Sequence, residues 1–279
     1  MDLKIIAIYY ICDEVISALH IQDDPQSKMS TAEVMTVGIV SALFYGANIE
    51  LTRRFLKLCG YIPKILSHSR LHRRLLSISR ENWETVFTII KSTLMQVFPS
   101  NEFAVDSCPL LACQPCRSWR CQLYQGKEYL GYCASKKLYF YGLKLHLIVS
   151  ENGIIIEFCL FPASKADITA LKEMLIDLPK GAILYGDRAY NSTSFEKELK
   201  EMADILLIPQ RKRKNKNQHP GHIQYLQKTR RRVVETVLSQ ITRLMPRSIK
   251  AKSAYGFELR ILLFILAYMI NFTTKTLTC

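Results

Sequence analysis

Apolar residues recur at helical spacing from Leu3 to Leu19 and again from Thr31 to Phe44. Ser30 followed three residues later by Glu33 matches a capping box, which opens the second of these helices. Pro63 interrupts the next stretch. Ser67 to Ile78 then reads as a short basic helix with Arg70, Arg73 and Arg74 on neighbouring turns, and Glu81 to Phe98 as another helix. Pro99-Ser100-Asn101 is a chain-breaking boundary, so residues 1–100 are expected to form a helical region of their own.

Beyond residue 101 the period changes. Phe103 to Val105 is short, β-prone and predicted to end at Asp106. Lys144 to Val149 and Ile154 to Phe161 flank Glu151-Asn152-Gly153, an Asn-Gly hairpin signal. A helical pattern starts at Asp167 and runs to about Leu178. Ala182 to Tyr185 is a buried strand ending at Gly186-Asp187, Ser194 to Met202 a helix, and Ile205 to Ile208 another strand. Ile223 to Met245 and Phe257 to Thr273 are long helices separated by Pro246. Strands in a hairpin followed by alternating strand and helix predict a mixed α/β fold, with residues 101–279 as the second domain.

Composition narrows the class. With 279 residues, 49% hydrophobic and 22% charged, the chain is globular in character and not disordered or repetitive. The longest unbroken apolar run, Ile261 to Ile270, is ten residues. A membrane span needs roughly 20, so a buried helix and no membrane partner are expected. The first residues lack a basic flank and a small-residue cleavage site, so no signal peptide is expected and a cytosolic location is.

The net charge of +14 is unevenly spread. Residues 201–279 hold 15 basic and 4 acidic side chains, whereas residues 1–100 hold 11 and 9. Nine Lys or Arg and no acid lie between Arg211 and Arg232; a second acid-free window runs from Leu51 to Arg80. Two separate basic windows point to a nucleic acid, because each cation that meets a phosphate releases condensed counterions. Cys108, Cys113, Cys116 and Cys121 cluster, with Cys133 beyond. Their spacing gives only one knuckle-like pair, so reduced thiols are expected in place of a zinc site.

Three acids stand out. Asp106 and Asp187 each end an apolar strand, and Glu235 is the one acid between Asp204 and Glu258, just after Arg230, Arg231 and Arg232. Alone, each has an ordinary explanation: a turn aspartate, or a helical ion pair of Glu235 with Arg231. Together they suit phosphodiester chemistry with two metal ions about 4 Å apart, which calls for hard oxygen ligands.

These segments carry a resemblance. Ala-Val-Asp-Ser at 104–107, Gly-Tyr-Cys-Ala-Ser-Lys-Lys-Leu-Tyr-Phe-Tyr-Gly-Leu-Lys-Leu-His at 131–146, Tyr-Gly-Asp-Arg-Ala-Tyr at 185–190 and Arg-Arg-Val-Val-Glu-Thr at 231–236 resemble a bacterial insertion-sequence transposase of the DDE superfamily, closest to the family numbered 982. The resemblance implies a ribonuclease H-like catalytic core behind a helical DNA-binding region. It implies an acidic triad of Asp106, Asp187 and Glu235, holding two Mg²⁺ or Mn²⁺ ions. It further implies cleavage at the element's terminal inverted repeats, attack of the freed 3′-hydroxyl on target DNA, and a homodimer or larger assembly on paired ends. Where sister families place Tyr, Arg, Glu and Lys around the last acid, this chain has Lys228, Arg231, Glu235 and Thr242.

The expected DNA contacts are Arg70, Arg73 and Arg74 in the helical region, and Arg188, Arg211, Lys212, Arg213, Lys214 and Arg231 in the second domain. Lys144 and His146 join them, being two apart on a strand and so on one face. Trp83 is expected in the core; Trp119 could pack or stack on an unpaired base.

Overall fold

The computed structural model describes residues 1–134, 137–211 and 218–276. The chain folds as two compact units, Met1–Leu94 with Ile241–Cys279, and Met95–Gln240.

The first unit is helical: α1 (Asp2–Ala18), α2 (Thr31–Tyr45), α3 (Ile49–Leu58), α4 (His68–Ser77), α5 (Arg80–Val97) and, from the end of the chain, α9 (Ala254–Thr276). The capping box is present in both halves: Ser30 Oγ accepts from the Glu33 amide, and Glu33 Oε2 from the Ser30 amide. The unit is built around α2, buried from Thr31 to Leu43, with α1, α3, α4 and α9 against it. At Gly38 a Cβ would lie 2.9 Å from a Leu75 methyl and 3.2 Å from one of Leu263, so glycine lets α4 and α9 close on α2. Trp83 is fully buried, as expected. α9 is long and apolar enough to cross a membrane, but 72% of its most apolar window is buried inside the protein. A core helix meets the same length and composition test. The sequence boundary placed the C-terminal helices with the second domain; in the structure α9 packs with the N-terminal helices.

The second unit is a six-stranded mixed sheet with helices. Its strands are β1 (Glu102–Cys113), β2 (Leu130–Cys133), β3 (Leu138–Ser150), β4 (Ile155–Pro162), β5 (Ile183–Gly186) and β6 (Leu206–Pro209). The order is β2-β3-β1-β5-β6, with β4 also on β3. β4, β3 and β1 run antiparallel; β1, β5 and β6 run parallel. The turn between β3 and β4 falls at Glu151-Asn152-Gly153 as the sequence predicts, with Gly153 at φ 89°. The helices of this unit are α6 (Asp167–Glu173), α7 (Thr193–Ala203) and α8 (Gly221–Leu244), the last extending past the unit's edge.

β1 does not stop at Asp106. It pairs with β3 from Phe103 to Cys113, with an irregularity between Leu111 and Cys113. The apolar run stops short of the strand's end because the residues from Asp106 to Pro109 are polar or half-buried, which breaks the run without breaking the ladder. Gly142, at φ 152°, faces that irregularity. A Cβ there would sit 2.2 Å from the Leu110 carbonyl oxygen and 2.7 Å from the Ala112 amide, so the close approach requires glycine.

Candidate active site

The β1–β5 ladder pairs Glu102 with Ile183, Phe103 with Leu184 and Ala104 with Tyr185, then ends. Asp106 and Asp187 each lie two residues beyond the last pair. Alternation along a strand puts Asp106 on the face of Ala104 and Asp187 on that of Tyr185. The two aspartates therefore follow the paired ends of adjacent parallel strands, on the same face. Asp106 Oδ1 accepts from the Ser107 amide at 2.8 Å. Asp187 caps the short 3-10 turn Arg188–Tyr190, accepting from the Ala189 amide at 2.7 Å.

Glu235 comes from α8. That helix is fastened to the sheet by Gln227, whose Nε2 donates to the Ile208 carbonyl at 2.9 Å and to the Gly186 carbonyl at 3.3 Å. Arg230 adds ion pairs to Glu102 at 2.6 Å and Glu151 at 2.5 Å. Val234 and Val237 are buried, which turns Glu235 outward. Arg231 bonds Glu235 at 3.1 Å, the helical pair the spacing suggests, and Gln210 at 3.3 Å.

The Asp106 carboxyl is raised from 3.8 to about 6. Burial is the main cause; the Ser107 amide opposes it, Asp187 adds to it, Arg231 opposes it and Glu235 adds to it. Asp187 and Glu235 thus both lie within electrostatic reach of Asp106, where a cation would offset the repulsion. Their oxygens suit a hard divalent ion. Among the described residues no three His, Cys, Asp or Glu side chains already converge on a metal-sized site. Each acid's oxygens are turned instead to its own local partner: Ser107, Ala189 or Arg231.

Beside Glu235 a cavity of about 650 Å³ is lined by Arg188, Tyr225, Gln227, Lys228, Arg231 and Arg232 among others. Arg188 and Arg232 are exposed at its rim. Other sequence-predicted contacts are differently placed. His146 is fully buried, and the Lys144 ammonium is held by Asp167 and the Lys165 carbonyl. Both side chains lie on the face of β3 that Asp167 packs against, so His146 is closed off from solvent and the Lys144 ammonium is already paired, not free as the sequence predicts. Arg211 forms an ion pair with Glu196 and bonds Asn191, so its guanidinium is committed internally. Arg74 is likewise held by Asp23 and Thr31, whereas Arg70 and Arg73 are exposed along a shallow cleft of about 500 Å³ in the helical unit. Lys212, Arg213 and Lys214 lie outside the described residues. Trp119 is exposed, with the Arg120 guanidinium 4.1 Å over its ring. The Cys113 thiol is pushed to about 11 by burial, by a hydrogen bond with Cys121 and by Cys116.

A family model described as a transposase DDE domain matches residues 100–248, more than half of the chain. The chain belongs to the DDE transposase family. The match spans the whole β1–β6 sheet and α8, and the mixed sheet is consistent with a ribonuclease H-like core. Family membership makes DNA the implied partner and a divalent metal the implied cofactor. No curated protein and no solved structure matches the chain. The sequence did not anticipate α3, β2 or the roles of Gln227 and Arg230 in seating α8. An apolar stripe every three to four residues would mark the buried face of α8, but nothing in the sequence marks the polar anchors.

Proposed function

We propose that the protein is the transposase of an insertion sequence, of the kind typified by the family numbered 982, and that Asp106, Asp187 and Glu235 are its catalytic carboxylates. One observation carries this reading: the register that brings Asp106 and Asp187 side by side, two residues past the last β1–β5 pair. Two Mg²⁺ or Mn²⁺ ions held by these acids would make water, and later a DNA 3′-hydroxyl, nucleophilic and stabilise charge on the attacked phosphate. The protein's own part is positional. β1 and β5 would fix the aspartates, and α8, seated on the sheet by Gln227 and Arg230, would carry Glu235 toward them. Arg188, Lys228 and Arg232 line a groove able to hold the phosphodiester backbone, and Arg70 and Arg73 give the helical unit a second basic surface. Terminal inverted repeats would be the bound sequence, two copies the minimum needed to pair two ends, and the bacterial cytosol the place of action.

The test is Mg²⁺- or Mn²⁺-dependent cleavage of a labelled DNA end carrying the gene's flanking repeat, with supercoiled target DNA present, comparing wild type with Asp187→Ala. Cleavage and joining by wild type alone support the proposal. Cleavage without joining makes the protein a nuclease, and binding without cleavage makes it a DNA-binding protein only. Equal activity in both proteins removes Asp187 from the mechanism.

A further inference from the structure

Behind the two aspartates lies a polar cluster that the triad does not use. Asp167 opens α6, and its Oδ1 accepts from Ser107 Oγ at 3.2 Å and from Lys144 Nζ at 3.1 Å. His146 Nε2 stands 3.8 Å from the same oxygen. The Tyr190 hydroxyl is 3.4 Å from His146 Nδ1. His146 and Tyr190 are buried, and His146 Nε2 has no hydrogen-bond partner among the described residues. Burying this many polar groups is unfavourable unless they do something for the fold or the site.

The cluster's place suggests what that is. Ser107 follows Asp106 and supplies the amide that its carboxylate accepts. Tyr190 ends the turn that Asp187 begins, and its amide donates to the Asp187 carbonyl at 3.3 Å. The cluster therefore joins the residue after one aspartate to the turn after the other. It does so just where the β1–β5 backbone ladder has run out, at Ala104 and Tyr185. Side chains replace the missing ladder.

We propose that Asp167 is a positioning residue: through Ser107, His146 and Tyr190 it holds the ends of β1 and β5 at the spacing Asp106 and Asp187 need to share a divalent cation. This rests on the reading of those two aspartates as ligands. Asp167 itself touches neither substrate nor metal.

The test measures Mn²⁺ bound by the full-length protein, from loss of the free-ion electron paramagnetic resonance signal, in wild type, Asp106→Ala, Asp167→Asn, Asp167→Glu and Tyr190→Phe. Thermal melts check that each is folded. Asp106→Ala is expected to lose the site. Asp167→Asn should raise the Mn²⁺ concentration at half occupancy by about tenfold, the usual scale for a group that orients a ligand. Tyr190→Phe should raise it less, and Asp167→Glu, which keeps the charge, should recover part of the loss. In cleavage assays the Mn²⁺ requirement should rise in step while KM for DNA stays unchanged. Wild-type Mn²⁺ binding by folded Asp167→Asn and Tyr190→Phe, with Asp106→Ala defective, overturns the inference and leaves the cluster as packing. Loss in Asp167→Asn as complete as in Asp106→Ala also overturns it, since Asp167 would then be a ligand. Wild-type binding by Asp106→Ala brings down the ligand reading itself. If Asp167→Asn fails to fold, Tyr190→Phe decides alone.

Discussion

Replacing Asp106 by Asn should make the metal-free protein more stable while destroying its activity. The folded-state pKa of Asp106 is raised from 3.8 to about 6, chiefly by burial. A carboxyl whose pKa is raised by folding binds its proton more tightly in the native state. Its contribution to stability is complete below pH 3.8 and is lost as pH rises through about 6. At neutral pH the ionised group therefore weighs against the fold. At about 1.4 kcal/mol per tenfold change in proton affinity, the penalty is on the order of 3 kcal/mol. Asp106 is partly open to solvent, which screens the charge and reduces this to about 2 kcal/mol. Asn has nearly the same shape and can still accept from the Ser107 amide. In chelator at pH 7.5, Asp106→Asn should thus unfold at higher urea than wild type, by a margin worth about 1–2 kcal/mol after imperfect amide solvation is allowed for. The margin should vanish near pH 4, where wild type is largely protonated. Added Mn²⁺ should raise the wild-type midpoint and leave the variant's unchanged, because only an ion that binds the native state stabilises it. A variant less stable than wild type at pH 7.5, by an amount independent of pH, would refute the argument that charge at this site is uncompensated.

Three further outcomes follow from the same geometry. Gly142→Ala forces a Cβ against the Leu110 carbonyl and Ala112 amide at positive φ, and should lower stability by about 3 kcal/mol in urea denaturation. Arg230→Gln releases α8 from Glu102 and Glu151; these groups are partly exposed, so the stability loss should be only about 1 kcal/mol, whereas cleavage per folded molecule should fall at least tenfold as Glu235 loses its seat. His146 is held neutral by burial, with its pKa lowered from 6.5 to about 4 against the pull of Asp167. Its contribution is complete above pH 6.5 and fades as pH falls toward 4, so wild type should lose urea resistance between pH 7 and 5 more steeply than His146→Phe.

The sequence was most informative where local chemistry decides structure. Ser30 and Glu33 announce their helix because both partners of the capping box lie within one turn. Gly153 announces its turn because the chain there needs positive φ. Residues whose setting depends on distant partners were less readable. Alternation correctly put Lys144 and His146 on one face of β3, but only the packing of Asp167 and Tyr190 against that face makes it an inner one. Arg70, Arg73 and Arg74 look equivalent as a run of charge. Asp23, 51 residues away in sequence, claims Arg74 and leaves the other two exposed. α3 is not announced by the sequence because Glu50, Arg53 and Arg54 make it polar overall, although Asn48 caps it and Ile49, Thr52 and Leu56 form its buried side.

The carboxylates show both limits at once. Their positions after apolar runs are visible along the chain, but their nearness is a property of register: β1 and β5 are adjacent, parallel, and paired so that Ala104 meets Tyr185. β1 continues past Asp106 in its ladder with β3, whereas its ladder with β5 ends at Ala104 and Tyr185. Burial leaves Asp106 partly desolvated there, with two acids and Arg231 as its charged neighbours. Arg231 already shares its charge with Glu235, so Asp106 faces two acids against one shared cation. A site formed only for stability would have covered or paired Asp106. Leaving it charged and partly buried at the end of a fixed ladder disfavours the empty fold, and the same free energy favours any cation that takes up the excess.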